Sequence, residues 1–459
     1  DDAISIQKLP EGYRLWVHIA DVSYYVRPGT ALDREAYRRG TSVYVTDRVV
    51  PMLPQVLSNG ICSLNPHEDR FTITVQMDIA KDGSVRESQI YPAIIRSDER
   101  MTYGNVNRIM AKDERLVRRY AHLLLMIDNM MGCSALIRKR RHDLGAVNFE
   151  TRESKIIVDE KGVPQQIVLR ERGESERMIE DFMIAANECV AAYMKWMDLP
   201  AMYRVHEQPE AKKVRAFAKV AKTLGYSFVV NVAQVYPGQF QRLLEEAQGE
   251  DNFDVLSAYM LRSMQKARYD AQCLGHFGLG LKEYLHFTSP IRRYPDLVVH
   301  RMLRKYVFAQ DQDATAMKRD QEWIAQAAEH ASVRERCAQE AERAVDDMKK
   351  AQYMEQFVGR TYTGKISGIT RFGMFVELED TVEGLVHVST MKDDRYQYHE
   401  EALALIGEHT AKQYRMGQQV RVKCVGANRW KRQVDFELIE KSRRQRPPQR
   451  ARRRRRQKA

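Results

Sequence analysis

Adjacent guanidiniums at Arg292 and Arg293 and adjacent carboxylates at Asp1 and Asp2 are the residues of this chain best suited to chemistry on an anionic substrate. The arginines sit in His286-Phe-Thr-Ser-Pro-Ile-Arg-Arg-Tyr-Pro-Asp-Leu-Val-Val-His-Arg301, a string that reads as too polar for a core and too aromatic for a linker. Pro290 and Pro295 bracket Ile291 to Tyr294. A proline fixes its own φ and holds the residue before it extended, so the turn should be stiff, with a helix starting near Pro295. Two guanidiniums on a stiff turn flanked by hydroxyls suit planar, bidentate recognition of phosphate oxygens. The plainer reading is an arginine pair bridging surface acids. The Asp1-Asp2 pair alone reads first as two surface acids at the start of a strand; its other use is to hold a hard cation through oxygen.

The elements that must position these groups can be followed along the chain. Ala3 to Lys8 and Tyr13 to Ala20 flank a Pro10-Glu11-Gly12 turn and predict a hairpin. Thr41-Ser-Val-Tyr44-Val is a short alternating run, in which Tyr44 on pattern alone is a core residue. Phe71 to Ile79 and Ser84 to Ile95 predict two strands joined at Lys81-Asp-Gly-Ser84. One helical pattern extends from about Asn105 to Arg141 and ends in Arg138-Lys-Arg-Arg-His142, a cluster that would cap the helix C-terminus or else line the path of an anionic substrate. Glu176 to Met197 is amphipathic, with Ile179, Phe182, Met183, Ala186, Val190 and Met194 on the core face. Tyr203 to Pro209 predicts a strand running into a turn, followed by helices near 210–224, 238–247 and 254–267, and Gly275 to Gly280 reads as a tight connection. Asp313 to Gln356 is helical and charged without a sustained heptad seam, a connecting helix or helix pair. Five short strand patterns after Gly359 suit an OB-type barrel. The organisation expected is α+β: a domain over 1–310, a helical connector over 311–357, an all-β barrel over 358–441 and a disordered basic tail over 442–459.

Composition narrows the function classes. At 459 residues, 44% hydrophobic and 30% charged, the chain is a globular protein of more than one domain. It has no apolar run near the ~20 residues of a membrane span and no signal-peptide pattern. Its first residue is not methionine, which fits a fragment or a processed chain. Ten Lys/Arg and no acid lie between Ser442 and Ala459, so the net charge of +12 falls to +2 without that tail. Such a polycation neutralises phosphates with little sequence preference. The six cysteines are scattered with no C-x-x-C, which argues against a zinc site or a disulfide framework and suits the cytoplasm.

The arginine string, together with His18-Ile-Ala-Asp-Val-Ser-Tyr-Tyr-Val-Arg-Pro28, Leu32-Asp-Arg-Glu-Ala-Tyr-Arg-Arg-Gly-Thr-Ser-Val-Tyr44 and Leu57-Ser-Asn-Gly-Ile-Cys-Ser-Leu-Asn65, closely resembles the ribonuclease II / ribonuclease R family. Tyr362-Thr-Gly-Lys-Ile-Ser-Gly and Phe372-Gly-Met-Phe-Val resemble the S1 RNA-binding domain. The resemblance implies an RNB-type catalytic domain whose strand D-x5-D-x-D-D supplies four aspartates. Asp1 and Asp2 align with the last two; the first two would lie upstream, so the chain reads as N-terminally truncated. It implies Mg²⁺ held by Asp1 and Asp2, with Asp1 nearest the chemistry and Arg292 on the scissile phosphate. Tyr44 would stack on the terminal base, Glu180 would lie near the riboses and Arg293 would join in holding RNA. In the barrel, Phe372, Phe375 and His387 match positions that stack on bases, though Phe375 could equally be core. The implied activity is processive 3′→5′ hydrolysis of RNA to nucleoside 5′-monophosphates, and Tyr294-Pro-Asp296 and the basic tail are more like the ribonuclease R branch, which tolerates structured RNA. The implied partners are single-stranded RNA, RNA 3′ ends and ribosome or RNA-decay components, for a cytoplasmic monomer with no membrane. Two other classes remain: an RNA-binding fragment without turnover, and a DNA-binding protein using the tail.

Overall fold

The computed structural model describes residues 1–147, 153–170, 172–250, 252–399 and 404–439; the basic tail lies outside them. The chain divides into two compact units, Asp1–Tyr353 and Met354–Ala459. Among the described residues no helix is long and apolar enough to cross a membrane.

The first unit is built on an antiparallel meander of Asp2–Leu9, Gly12–Ala20, Asp69–Ala80 and Val85–Arg96, in that order across the sheet. Alternation along the second and third strands buries Leu15, Val17 and Ile19 with Ile73, Val75 and Met77. These residues form one apolar core with Ile127, Met130 and Ile137 of the helix Leu124–Asp143 and with Phe182, Ala186, Val190 and Met194 of the helix Glu174–Trp196. The first hairpin closes at Gly12, whose φ of 144° a side chain would not tolerate; an added Cβ would also lie 1.9 Å from the Ile79 carbonyl oxygen.

The single long helix expected over 105–141 is instead a series of Tyr103–Met110, Glu114–Arg119, a 3₁₀ turn at Ala121–Leu123 and Leu124–Asp143. Capping explains the breaks. Thr102 Oγ1 accepts from Asn105 N at 3.2 Å, Asp113 Oδ1 accepts from Leu116 N at 3.1 Å, and Lys112 between the first two helices has a φ of 62°. The Arg138–His142 cluster does more than cap a helix end. Arg138 and Arg141 reach across to the buried Asp181 of the neighbouring helix at 3.0 and 2.7 Å, and Ser134 donates to the same carboxylate at 2.8 Å. His142 pairs with Glu245 at 2.7 Å.

Helices Ala211–Thr223, Pro237–Ala247 and Phe253–Ser263 enclose a second apolar cluster around Phe217, Phe240 and Leu244. A single helix of 42 residues, Ala314–Glu355, then follows, the first of the two alternatives left by the sequence. In the second unit, strands Thr361–Thr370, Gly373–Leu378, Glu383–His387, Gln433–Leu438 and Gln419–Asn428 close a barrel in that order around Met374, Val376, Val386, Val422 and Phe436. A small sheet of Tyr396–His399, Ala404–Gly407 and Gln413–Arg415 accompanies it and has no counterpart among the elements expected from sequence. Its strands of three and four residues are too short for a period to show.

Candidate functional site

The arginine string is part of the core, contrary to the expectation from its polarity. Phe287, Tyr294, Leu297, Val298 and Val299 are at most 1% exposed, and Thr288, Ser289, Asp296 and His300 are buried with them. Burial of Ser289, Arg293, Tyr294 and Asp296 is tolerable because their polar groups are paired, although His300 Nδ1 and Arg301 Nε are buried without a partner. Asp296, at the start of the helix Tyr294–Met302, accepts from Ser289 N at 2.7 Å and from the Arg293 Nε and Nη2 at 2.8 and 2.7 Å. Tyr294 and Arg301 both reach Asp33 of the helix Ala31–Arg39, at 2.8 and 2.7 Å. His300 Nε2 donates to the Phe287 carbonyl at 2.8 Å.

These bonds separate the two arginines. Arg293 is consumed by Asp296 inside the protein, and Asp296 and the nearby tyrosines hold its pKa above the ordinary value against burial. It is therefore not placed to bind RNA, and this corrects the expectation. Arg292 is exposed, and its guanidinium donates to Ser289 Oγ at 3.1 Å. The surrounding protein and the adjacent Arg293 pull its pKa below the usual value, yet it stays charged at neutral pH. Charge without a carboxylate partner is what a phosphate-binding arginine needs.

The turn is tied to a second element. Ser42 N and Thr41 Oγ1 both donate to the Arg292 carbonyl at 3.0 Å, and Tyr294 N donates to the Gly40 carbonyl at 3.0 Å. Two residues farther on, Tyr44 lies in a short hairpin, Val43–Val45 against Arg48–Val50, with 49% of its surface exposed. It is thus an open ring and not a core tyrosine. Its phenol lies within electrostatic reach of Arg292. From the other side the long helix holds the hairpin: Glu342 accepts from Tyr44 N at 2.7 Å and Asp346 from Thr46 Oγ1 at 2.9 Å. Glu342 could not be singled out from sequence because an acid in a charged helix looks like a solvated face.

Asp1 and Asp2 enter through the sheet edge. The Asp1 carbonyl accepts from Ala20 N at 2.8 Å, and Asp2 pairs with Ile19. The Asp1 main-chain nitrogen lies within electrostatic reach of Arg292 and Arg100. Tyr103 joins the two groups: half-exposed at 47%, it has Asp2, Glu176, Arg170 and Arg292 around its hydroxyl, and burial with the two acids pushes its pKa up. The carboxylate doublet, Arg292 and Tyr44 therefore share one neighbourhood although almost three hundred residues separate its ends. Nothing in Met101-Thr-Tyr-Gly104 marks Tyr103 in the sequence.

A cation can be tested against these groups. Asp1 Oδ1 is buried and has no hydrogen-bond partner, as expected of an oxygen facing an ion. Among the described residues no group of three or more His, Cys, Asp and Glu has metal-holding geometry. Asp1 and Asp2 would supply only part of the oxygen set that a hard cation such as Mg²⁺ takes.

Glu180 forms an ion pair with Arg172 on the half-exposed face of its helix, while the neighbouring Asp181 is structural. In the barrel, Phe372 is 48% exposed and meets the half-buried Phe375 edge to face at 6.1 Å. Exposed His387 pairs across the strands with Gly373, and its Nδ1 contacts Ser389 Oγ at 2.8 Å. The three rings belong to one end of adjacent strands.

Comparison with known proteins agrees with this layout. The RNB domain model matches residues 1–309, and the S1 RNA binding domain model matches residues 355–439. Ribonuclease R 1 of Lactococcus lactis subsp. lactis is 48% identical over 440 residues, which are 96% of this chain and 54% of that protein. The chain thus spans little more than half of that relative's length. Mycoplasma genitalium RNase R in complex with ribose-methylated single-stranded RNA superposes with a TM-score of 0.90 at 30% identity, over 95% of this chain and 68% of that one. The same protein in complex with double-stranded RNA gives 0.84 at 28% identity, over 95% and 72%.

Proposed function

This chain belongs to the RNB family, with an S1 RNA-binding domain after the RNB domain, and from that premise we propose that it carries the hydrolytic centre of a ribonuclease R-like 3′→5′ exoribonuclease of the cytoplasm. One observation carries the reading: Asp2 and the exposed Arg292 both lie within electrostatic reach of Tyr103, and Thr41 and Ser42, whose bonds to the Arg292 carbonyl fix the turn, lead into the open Tyr44 ring. Arg292 would meet the non-bridging oxygens of the scissile phosphate, where negative charge grows in the transition state. Tyr44 would hold the RNA end by stacking, at a distance from Arg292 set by the bonds between Gly40–Ser42 and Arg292–Tyr294. Mg²⁺ held by Asp1 and Asp2 would neutralise charge on the attacking and leaving oxygens. Glu180 lies on the helix that also carries Glu176, which supports a place beside the riboses. Phe372, Phe375 and His387 would stack on bases farther from the end. The RNase R complex with double-stranded RNA supports action on structured RNA.

In the full-length protein, an oligoribonucleotide with a free 3′-hydroxyl should shorten from that end to 5′-monophosphates, whereas one blocked at the 3′ end should persist. Gel analysis of 5′-labelled substrates decides it; equal persistence of both would leave the RNA-binding alternative standing. Tyr44→Ala should weaken binding of the RNA end by about 1–3 kcal/mol and change the length of the last product. An unchanged end product and affinity would remove Tyr44 from the site.

A further inference from the structure

The hairpin of Glu153–Val158 and Pro164–Arg170 has no part in the assignments above, yet both its ends meet residues of the site. At one end Arg170 is among the charges around the Tyr103 hydroxyl, with Asp2 and Arg292. The other end, ~20 Å away at about 3.3 Å per residue, is a turn built to hold one shape. Asp159 Oδ1 accepts from Lys161 N at 2.9 Å and from Val163 N at 2.8 Å, and Gly162 turns the chain with a φ of 75°. Gly162 is buried, and its carbonyl accepts from Lys349 Nζ of the helix Ala314–Glu355. A Cβ on Gly162 would lie 3.1 Å from Asp47 Oδ2 and 3.5 Å from Lys349 Nζ, so the tip fills the gap between the long helix and the turn of the Tyr44 hairpin. Lys349 continues the helix face that carries Glu342 and Asp346, the acceptors of Tyr44 N and Thr46 Oγ1.

These contacts form a closed circuit. Arg292 leads through its carbonyl to Thr41 and Ser42, along the Tyr44 hairpin to Asp47 and across to Gly162. The hairpin then runs back to Arg170, which Tyr103 joins electrostatically to Arg292. We propose that Lys349 is the latch of this circuit: by holding Gly162 it keeps the hairpin closed over an RNA end bound at Tyr44 and Arg292, and so sets how many nucleotides are removed before the strand is released. An enclosed strand can leave only by sliding its end back, whereas an open groove releases it sideways. The tip is the weak point of the enclosure. Ile156 and Ile167, paired across the strands, are buried, but at the turn the helix is reached through a half-buried ammonium on a main-chain carbonyl. The Asp47 carboxylate is already paired with Arg48 at 2.8 Å.

This inference rests on the ribonuclease reading above, and the test separates the two. The full-length protein is loaded on a 5′-labelled single-stranded oligoribonucleotide in EDTA, then given excess Mg²⁺ together with unlabelled competitor RNA, so that each labelled strand is degraded in a single encounter. The wild-type protein should carry its strand to the final product. Lys349→Ala should release it roughly five- to tenfold more often per nucleotide removed and leave a ladder of intermediates, as loss of a hydrogen bond from a charged donor implies. The turnover number on a saturating short oligomer should stay the same, and Lys349→Arg should restore the long runs. Gly162→Ala, which crowds the junction from the other side, should shorten them. If Lys349→Ala and Gly162→Ala both run as far as wild type, or if wild type itself leaves the ladder, this inference alone is overturned. So it is if turnover on the short oligomer falls as much as run length, because the junction is then merely structural. A wild-type protein that leaves the labelled RNA intact overturns the ribonuclease reading as well.

Discussion

Arg292→Ala should reduce the turnover number of the full-length protein on RNA by about 100- to 1,000-fold and leave oligonucleotide affinity within a few fold, the pattern expected for a group that acts on charge developing in the transition state. The size of the effect follows from how little else the guanidinium does. It touches Ser289 Oγ and is otherwise exposed, so its removal leaves no buried acid unpaired. Arg293→Ala should behave in the opposite manner. It strips Asp296, which is fully buried, of its ion-pair partner and should lower stability before it touches chemistry. Arg292→Lys should recover only part of the rate, because an ammonium retains the charge but not the planar fork. Single-turnover kinetics and equilibrium binding on the same preparations separate the two effects. If Arg292→Ala raised KM and left kcat alone, the arginine would be a binding group and the charge-stabilising role would be lost.

Asp181→Ala should destabilise the first unit by about 3–5 kcal/mol, because it leaves the largely buried Arg141 guanidinium without its counter-charge. Asp181 is 3% exposed and receives Arg141, Arg138 and the Ser134 hydroxyl. Arg141 matters most, since its side chain is 14% exposed; Arg138, at 41%, can turn to water and contributes less. Through this carboxylate the helix Leu124–Asp143 is fastened to Glu174–Trp196, and both helices cover the central sheet. Glu180→Ala, one residue away but on the half-exposed side and paired with Arg172, should cost less than about 1 kcal/mol. Urea unfolding followed by circular dichroism would measure both. A value for Asp181→Ala no larger than that for Glu180→Ala would show that the ion-pair cluster does not hold these helices together.

These two changes show where reading the chain succeeded and where it stopped. The carboxylate doublet, the arginine turn and the change of texture at Gly359 are local patterns, set by residue type and spacing over a few positions, whereas Tyr44 by its pattern alone reads as core. The hairpins, the helix Glu174–Trp196 and the barrel strands were legible for the same reason: periods of two or 3.6 residues persist long enough to be read. Helix breaks at Thr102 and Asp113 were lost because capping residues were hidden in a longer periodic run. Arg292 and Arg293 are indistinguishable as neighbours in a string, and only the fold brings Asp296 onto one of them and leaves the other open. Likewise, Glu342 and Tyr103 become part of the site only once distant segments pack beside Tyr44 and Asp2. Sequence alone therefore determined which chemical groups the protein has and what local elements carry them. Tertiary structure decided which charges neutralise one another inside and which remain free to act, because desolvation and pairing depend on neighbours in space that the order of residues does not reveal.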